Sequence, residues 1–288
     1  MPHEEDHLET NDGLRLHLSR WMPEVPAKAT VVLVHGFTEH SGRYADLAER
    51  LNRHGYAVCA PDLRGHGRSE GERILVMAFD QYLDDFERVL ACARQREPGW
   101  PLFLYGHSMG GAIVALWAIA GQPGVRGLVL SAPPARMGDH VFPVLRRLAG
   151  IFGRLFPRLR VVRLGTGMLS RDPAVVEDFR SDPLVYHGRL PCRTGAEILR
   201  AAERLRQTAG AIRLPLLILH GTEDSLTDPA GSQELYDRAA SPDKKLKLYQ
   251  GLYHDLVHEP EKEEVMADLV GWVERRVRDE GGMRNDER

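Results

Sequence analysis

A serine stands at the apex of LFLYGHSMGGAIVALWAIA, residues 102–120. A serine hydroxyl is a poor nucleophile at neutral pH; it becomes one when a base lies within hydrogen-bond reach and a third group anchors that base. Gly106 and Gly110 flank Ser108 where any side chain would collide with a neighbouring strand or helix. Such a strand–turn–helix lifts a serine out of a sheet and sets its hydroxyl at a helix N-terminus. In open α/β sheets reactive groups gather at the carboxyl ends of the strands, here in the chain order serine, acid, histidine. Asp224 leaves the turn HGTED after the apolar run 214–220 and is the favoured acid. Asp228, four residues on, competes with it, but is placed to cap a helix opening at Pro229. Of thirteen histidines, only His254 and His258 follow the last expected strand. His254 comes directly after it and is the candidate base, whereas His258, nearer the next helix, suits a pocket wall. The chemistry is acyl transfer, which also needs two backbone N–H groups aimed at the developing oxyanion. Met109, just after the nucleophile at a helix N-terminus, supplies one. Phe37 supplies the other, from the loop that Gly36 lets turn sharply after the 30–35 strand.

Those residues require elements to hold them. Residues 30–35, 56–60, 102–105, 127–132 and 214–220 are short apolar runs with the character of strands buried on both faces, as in a parallel sheet. Amphipathic helical spacing separates several of them, from Ser41 to about Arg53, over 80–95, and after the last strand over 260–277. Alternation of buried strand and amphipathic helix is the signature of a doubly wound α/β sheet. Residues 14–21 and 245–250 alternate apolar and polar and read as edge strands.

From about 134 to 212 the rhythm breaks. Short helical patterns over 141–156, 173–180 and 194–209 alternate with Pro and Gly, and 14 arginines stand against 7 acidic residues in a chain of net charge −3. The expected organisation is therefore an α/β core of residues 1–133 and 213–288, with a helical cap inserted at 134–212. Phe142, Leu145, Leu148, Ile151, Phe152, Leu155 and Phe156 form an apolar stripe among the arginines. It reads as a lid that guides an apolar substrate and offers transient contact with a membrane surface.

The chain's 288 residues, 43% hydrophobic and 27% charged, suit one large soluble domain with an insertion. The small net charge gives no electrostatic case for nucleic acid. Three scattered cysteines read as thiols of a reducing compartment, neither a disulfide frame nor a zinc site. A polar, acidic N-terminal stretch shows no secretory leader, and no apolar run is long enough to span a membrane. The expected location is the cytoplasm. The tail over 279–288 reads as disordered.

Taken together, HGFTEHSGRY (35–44), PDLRGHGRSEG (61–71), GHSMGG (106–111), HGTEDSLTDP (220–229) and YHDLVHEP (253–260) resemble the monoacylglycerol lipase and bacterial lysophospholipase family of α/β-hydrolases. The order and spacing hold over nearly the whole chain. The resemblance implies an α/β-hydrolase fold, a Ser108–Asp224–His254 triad, an oxyanion hole of Phe37 and Met109, and a cap over an apolar acyl tunnel. It implies cleavage of a monoacylglycerol to fatty acid and glycerol without metal or organic cofactor. It also implies that Glu39 and Arg43 line the side that receives the alcohol. The animal lipase has a further histidine three residues beyond the catalytic one; this chain has Val257 there and His258 one place on, so His258 is the candidate for that wall. A lysophospholipase or a broad carboxylesterase is the alternative within hydrolases, and acyl transfer to an alcohol would use the same residues. A non-enzymatic binding protein on this scaffold would be expected to lack a triad member, and a peptidase would need an acidic anchor for a peptide amine.

Overall fold

The computed structural model describes residues 3–120, 124–138, 151–163 and 165–283. Its centre is an eight-stranded sheet formed by β1 (His3–Glu9), β2 (Arg15–Trp21), β3 (Ala29–Val34), β4 (Tyr56–Pro61), β5 (Leu102–His107), β6 (Val125–Ser131), β9 (Leu216–Gly221) and β10 (Lys244–Tyr249). The spatial order is β1-β2-β4-β3-β5-β6-β9-β10. All pairings from β4 to β10 are parallel, and β2 pairs antiparallel with both β1 and β4. This is the α/β-hydrolase fold read from the sequence.

Strand periodicity divides the core in two. In β3, Val32 and Val34 face one side while Ala29, Val31 and Leu33 face the other. The first side packs under α2 (Asp80–Arg96) and α3 (Met109–Ile119), the second under α1 (Ala45–Arg53) and α7 (Lys262–Met283). Because helices cover both faces, the central strands are apolar at nearly every position and not alternately so.

The edge differs from expectation. β2 is an interior strand, and the polar stretch before it forms the outer strand β1. Leu8 packs against the core, but β1 is held mainly by its register with β2, together with His3 stacked on Trp21 at 4.8 Å and Glu4 paired to Arg20 at 3.0 Å. At the start of α1, a 3₁₀ turn over Ser41–Tyr44 precedes the helix, and His40 caps it through Gly42 N–H.

Between β6 and β9 the chain leaves the sheet. It forms α4 (Pro173–Ser181), a two-stranded antiparallel pair of β7 (Arg160–Val162) and β8 (Leu190–Pro191), and α5 (Cys192–Thr208). The small pair had no signature in the sequence. Of the helix expected over 141–156, residues 151–155 are helical; Phe142, Leu145 and Leu148 lie outside the described residues. Ala201 and Leu205 of α5 join the core cluster on the α3 side, so this helix roots the excursion to the sheet. Chain return is through β9, α6 (Pro229–Arg238) and β10. α7 continues to Met283 through much of the tail expected to be disordered; residues 284–288 lie outside the described ones.

Candidate active site

β5 ends at His107, and the chain turns so tightly that Ser108 adopts φ 49°, ψ −120°, a conformation that L-residues rarely take. The turn exists because its glycines allow backbone to touch backbone. A Cβ at Gly110 would lie 2.2 Å from the Val34 carbonyl oxygen, and one at Gly106 would lie 2.4 Å from that of Gly110. Ser108 N–H donates to Ser131 O on β6 at 2.9 Å, which fastens the apex to the sheet. The hydroxyl faces a cavity of about 640 Å³ that His254 also lines. Among the described residues the hydroxyl has no hydrogen-bond partner.

His254 leaves the loop after β10. Its Nδ1 lies 2.6 Å from Asp224 Oδ2. A carboxylate only accepts, so Nδ1 carries the proton and Nε2 keeps a lone pair for the serine. Burial alone would disfavour the imidazolium, yet the charge and hydrogen bond of Asp224, with the charges of Asp255 and Glu39, together outweigh it and His254 titrates above its ordinary value. Asp224 is itself buried, but His254, His220 and the hydrogen bonds it accepts hold its carboxyl far below the usual range. Leu226 N–H and Thr227 N–H donate to Oδ1 at 2.8 and 3.0 Å, and Thr227 Oγ1 donates to Oδ2 at 2.8 Å. Asp228 stands away from this group. It caps α6 through Ala230 N–H at 2.8 Å and pairs with Arg136 at 2.8 Å.

The loop after β3 is pinned at both sides of Gly36. His35 Nε2 accepts Leu63 N–H at 2.9 Å, which leaves Nδ1 protonated to donate to Gly36 O at 2.7 Å. Gly36 N–H donates to Glu39 Oε1 at 2.5 Å. In a trans peptide the N–H points opposite to the C=O. With Gly36 O held by His35, Phe37 N–H points the other way, and it has no partner among the described residues. Met109 opens α3, where the first N–H groups have no acceptor within the helix. Phe37 and Met109 both line the cavity.

The three residues expected at the alcohol end are brought together, though only Glu39 reaches the cavity wall among them. Besides Gly36, Glu39 Oε1 accepts Tyr44 Oη–H at 2.7 Å, and Oε2 accepts Arg43 Nε–H at 3.3 Å. Arg43 reaches Asp255 Oδ2 at 3.4 Å and stacks under Phe179 of α4, 4.8 Å from the ring centre. His258 lies between Asp255 Oδ1 and the Arg43 carbonyl oxygen, 2.8 Å from each. Both are acceptors only, so both ring nitrogens donate and His258 is a cation; against the effect of burial, Asp255 raises its titration. Glu39 and Asp255, with Arg43 and His258, thus form a buried cluster of two negative and two positive charges behind the base.

Sequence reasoning passed over Asp255 and Phe179, and read His107 only as a structural residue beside a tight turn. His107 packs its ring 4.8 Å from that of His254, and burial with that neighbour lowers its titration to about 4, so it is a neutral wall. Asp255 adjoins the base and was there to be found; Phe179 becomes visible only once α4 is placed over Arg43. Ile74, Val162, Leu169, Leu190 and Ile198 give the cavity an apolar wall, and Arg163 and Arg180 line it as well.

Comparison with known proteins bears on the family and the fold. Residues 25–261 match the hydrolase family described as serine aminopeptidase, S33. The chain is 40% identical to the monoacylglycerol lipase of Mycolicibacterium smegmatis over 91% of its own length and 93% of that protein's. It is 36% identical to the monoglyceride lipase of Homo sapiens, over 94% and 90% of the two chains. The solved structure of Paleococcus ferrophilus monoacylglycerol lipase superposes with a TM-score of 0.81 at 34% identity, covering 90% of this chain and 99% of that one. On sequence and on structure, the chain belongs to the monoacylglycerol lipase and lysophospholipase family of α/β-hydrolases.

Proposed function

We propose that this protein hydrolyses carboxylic esters of lipids through a Ser108 acyl-enzyme, with a monoacylglycerol cleaved to fatty acid and glycerol. The observation that carries the reading is the Asp224–His254 pair with its free Nε2 on the cavity that holds Ser108. His254 takes the proton of Ser108 as the hydroxyl attacks the ester carbonyl, while Asp224 holds the tautomer and stabilises the imidazolium. Phe37 and Met109 N–H groups receive the oxyanion. The C–O bond to the alcohol breaks and His254 gives that alcohol its proton. Water then attacks the acyl-enzyme by the same steps, releasing the acid and restoring Ser108.

The apolar cavity wall suits an acyl chain, and the polar wall at Glu39 suits glycerol. Arg43 and His258 serve that wall from behind, by fixing Glu39 and Asp255. Residues 134–212 act as the cap. Ile151, Leu155 and Phe156 are exposed beside Arg154 and Arg158, a composition suited to touching an anionic lipid surface. No helix of the described residues is long and apolar enough to cross a membrane; the three free cysteines are in keeping with a cytoplasmic location. A lysophospholipid is the second substrate reading, because Arg163 and Arg180 also line the cavity and would attract a phosphate. A kinetic panel of monoacylglycerols, lysophospholipids and short p-nitrophenyl esters, with Ser108→Ala as control, tests both. Turnover by Ser108→Ala near that of the unaltered enzyme overturns the mechanism, and a preference for lysophospholipids overturns the choice of substrate.

A further inference from the structure

Asp224 is shared by two histidines. His220, at the end of β9, is fully buried, and its Nε2 lies 3.0 Å from Asp224 Oδ2, the oxygen that also receives His254. The same Nε2 lies 3.2 Å from Thr227 O. Both neighbours are acceptors, so Nε2 carries a proton and donates. Nδ1 is 2.6 Å from Ser232 Oγ on α6, itself fully buried. In the neutral ring Nδ1 accepts the Ser232 hydroxyl proton, which fixes the tautomer. Thus a continuous chain runs from Ser232 through His220 and Asp224 to His254.

We propose that His220, oriented by Ser232, is a positioning residue that sets how strongly Asp224 acts on the catalytic base. The proposal rests on the Ser108–Asp224–His254 reading above. Three donors share Oδ2: His254 Nδ1–H, His220 Nε2–H and Thr227 Oγ1–H. Each draws electron density from the same oxygen, so His220 withholds part of the carboxylate from His254. Other charged or titratable groups near the base come from different elements: His107 on β5, Glu39 on the loop after β3, and Asp255 beside it with Arg43 and His258 behind. None of these touches His220; its further neighbour is uncharged Thr227, whose Oγ1 lies 3.3 Å from His220 Nε2 and 3.3 Å from His254 Nδ1, so replacing His220 changes no other charged input.

The test is the pH profile of kcat/KM for His220→Leu, His220→Gln and Ser232→Ala. Without the His220 donor, Oδ2 is more negative towards His254, the imidazolium is favoured, and the acid-limb midpoint rises by about half a unit in His220→Leu. The low-field proton resonance of His254 Nδ1–H moves with it. His220→Gln returns an N–H to Oδ2 and restores the midpoint. Ser232→Ala, which only frees the ring, shifts it in the same direction by less. A space-filling role alone would lower kcat/KM equally at every pH. Unchanged midpoint and resonance in folded His220→Leu, or a His220→Gln profile like that of His220→Leu, overturns the proposal. Should His220→Leu fail to fold, Ser232→Ala and the Gln variant decide it by the same readings. Failure of the triad itself shows elsewhere, as greater loss in Asp228→Asn than in Asp224→Asn.

Discussion

Replacing Asp224 by Asn removes one charge and almost no volume. In the protein Asp224 accepts five hydrogen bonds, two from backbone on Oδ1 and three on Oδ2. The Asn carbonyl will satisfy the two backbone donors, because they cannot move. Its NH₂ must then sit where Oδ2 was, facing the Nδ1–H of His254 and the Nε2–H of His220. Donor would face donor at 2.6 and 3.0 Å. His254 escapes by moving its proton to Nε2, which makes it useless as a base towards Ser108. In the serine-protease template the same change lowers kcat by about 10⁴, equivalent to roughly 5 kcal/mol of barrier. A loss of that order is expected here, measured as monoacylglycerol hydrolysis at neutral pH, with labelling of Ser108 by a fluorophosphonate slowed in parallel. Stability falls too. The depressed carboxyl of Asp224 contributes stability that is present above the unfolded value near 4 and is lost as pH falls through the folded one, so the variant is weaker than the parent at neutral pH and converges with it in acid. Activity within tenfold of the parent would refute the assignment, as would a larger loss in Asp228→Asn.

Phe37 gives backbone, so Phe37→Ala should leave kcat for short esters within a few fold, while Phe37→Pro, which has no N–H, should lower it by about 10²–10³; equal effects would remove Phe37 from the oxyanion hole. His254 must be neutral to act as base, and it titrates above the ordinary 6.5, so kcat/KM should fall on acidification with a midpoint above that value; a midpoint well below it contradicts the Asp224 pairing. Leu155 and Phe156 are 64% and 54% exposed, and replacing both by Ser should weaken sedimentation with anionic vesicles while leaving hydrolysis of soluble short esters unchanged; unaltered vesicle binding argues against membrane contact through this face.

What could be read beforehand followed a physical rule. The buried strands and the nucleophile turn were legible because local sterics dictate them: apolar runs for a sheet covered on both faces, and glycine wherever backbone meets backbone. Asp224, too, stood out by its place after a strand. β1 was not legible, since its residues are polar and its strand state comes from pairing with β2 and from Trp21 beneath His3. The β7–β8 pair likewise depends on a partner about 30 positions away in the chain. Nor could spacing tell that His258 would lie between two acceptors, because Arg43 O and Asp255 reach it from separate loops.

That arrangement explains how two carboxylates can sit so near the base without crippling it. Glu39 and Asp255 both favour the imidazolium of His254, adding to the effect of Asp224. Arg43 and the cationic His258 balance them, and Arg43 stays in place because Phe179 covers its face. The same α4 and its flanks bond both catalytic loops: His40 to Asp182 at 2.8 Å, Tyr186 N–H to Thr38 O at 2.8 Å, and Asp255 N–H to Leu169 O at 2.8 Å. The segment between β6 and β9 therefore does more than line the cavity. It bonds the backbone of the Phe37 loop and of the residue next to His254, so a substitution that loosens it should reduce turnover of short esters as well as of long ones.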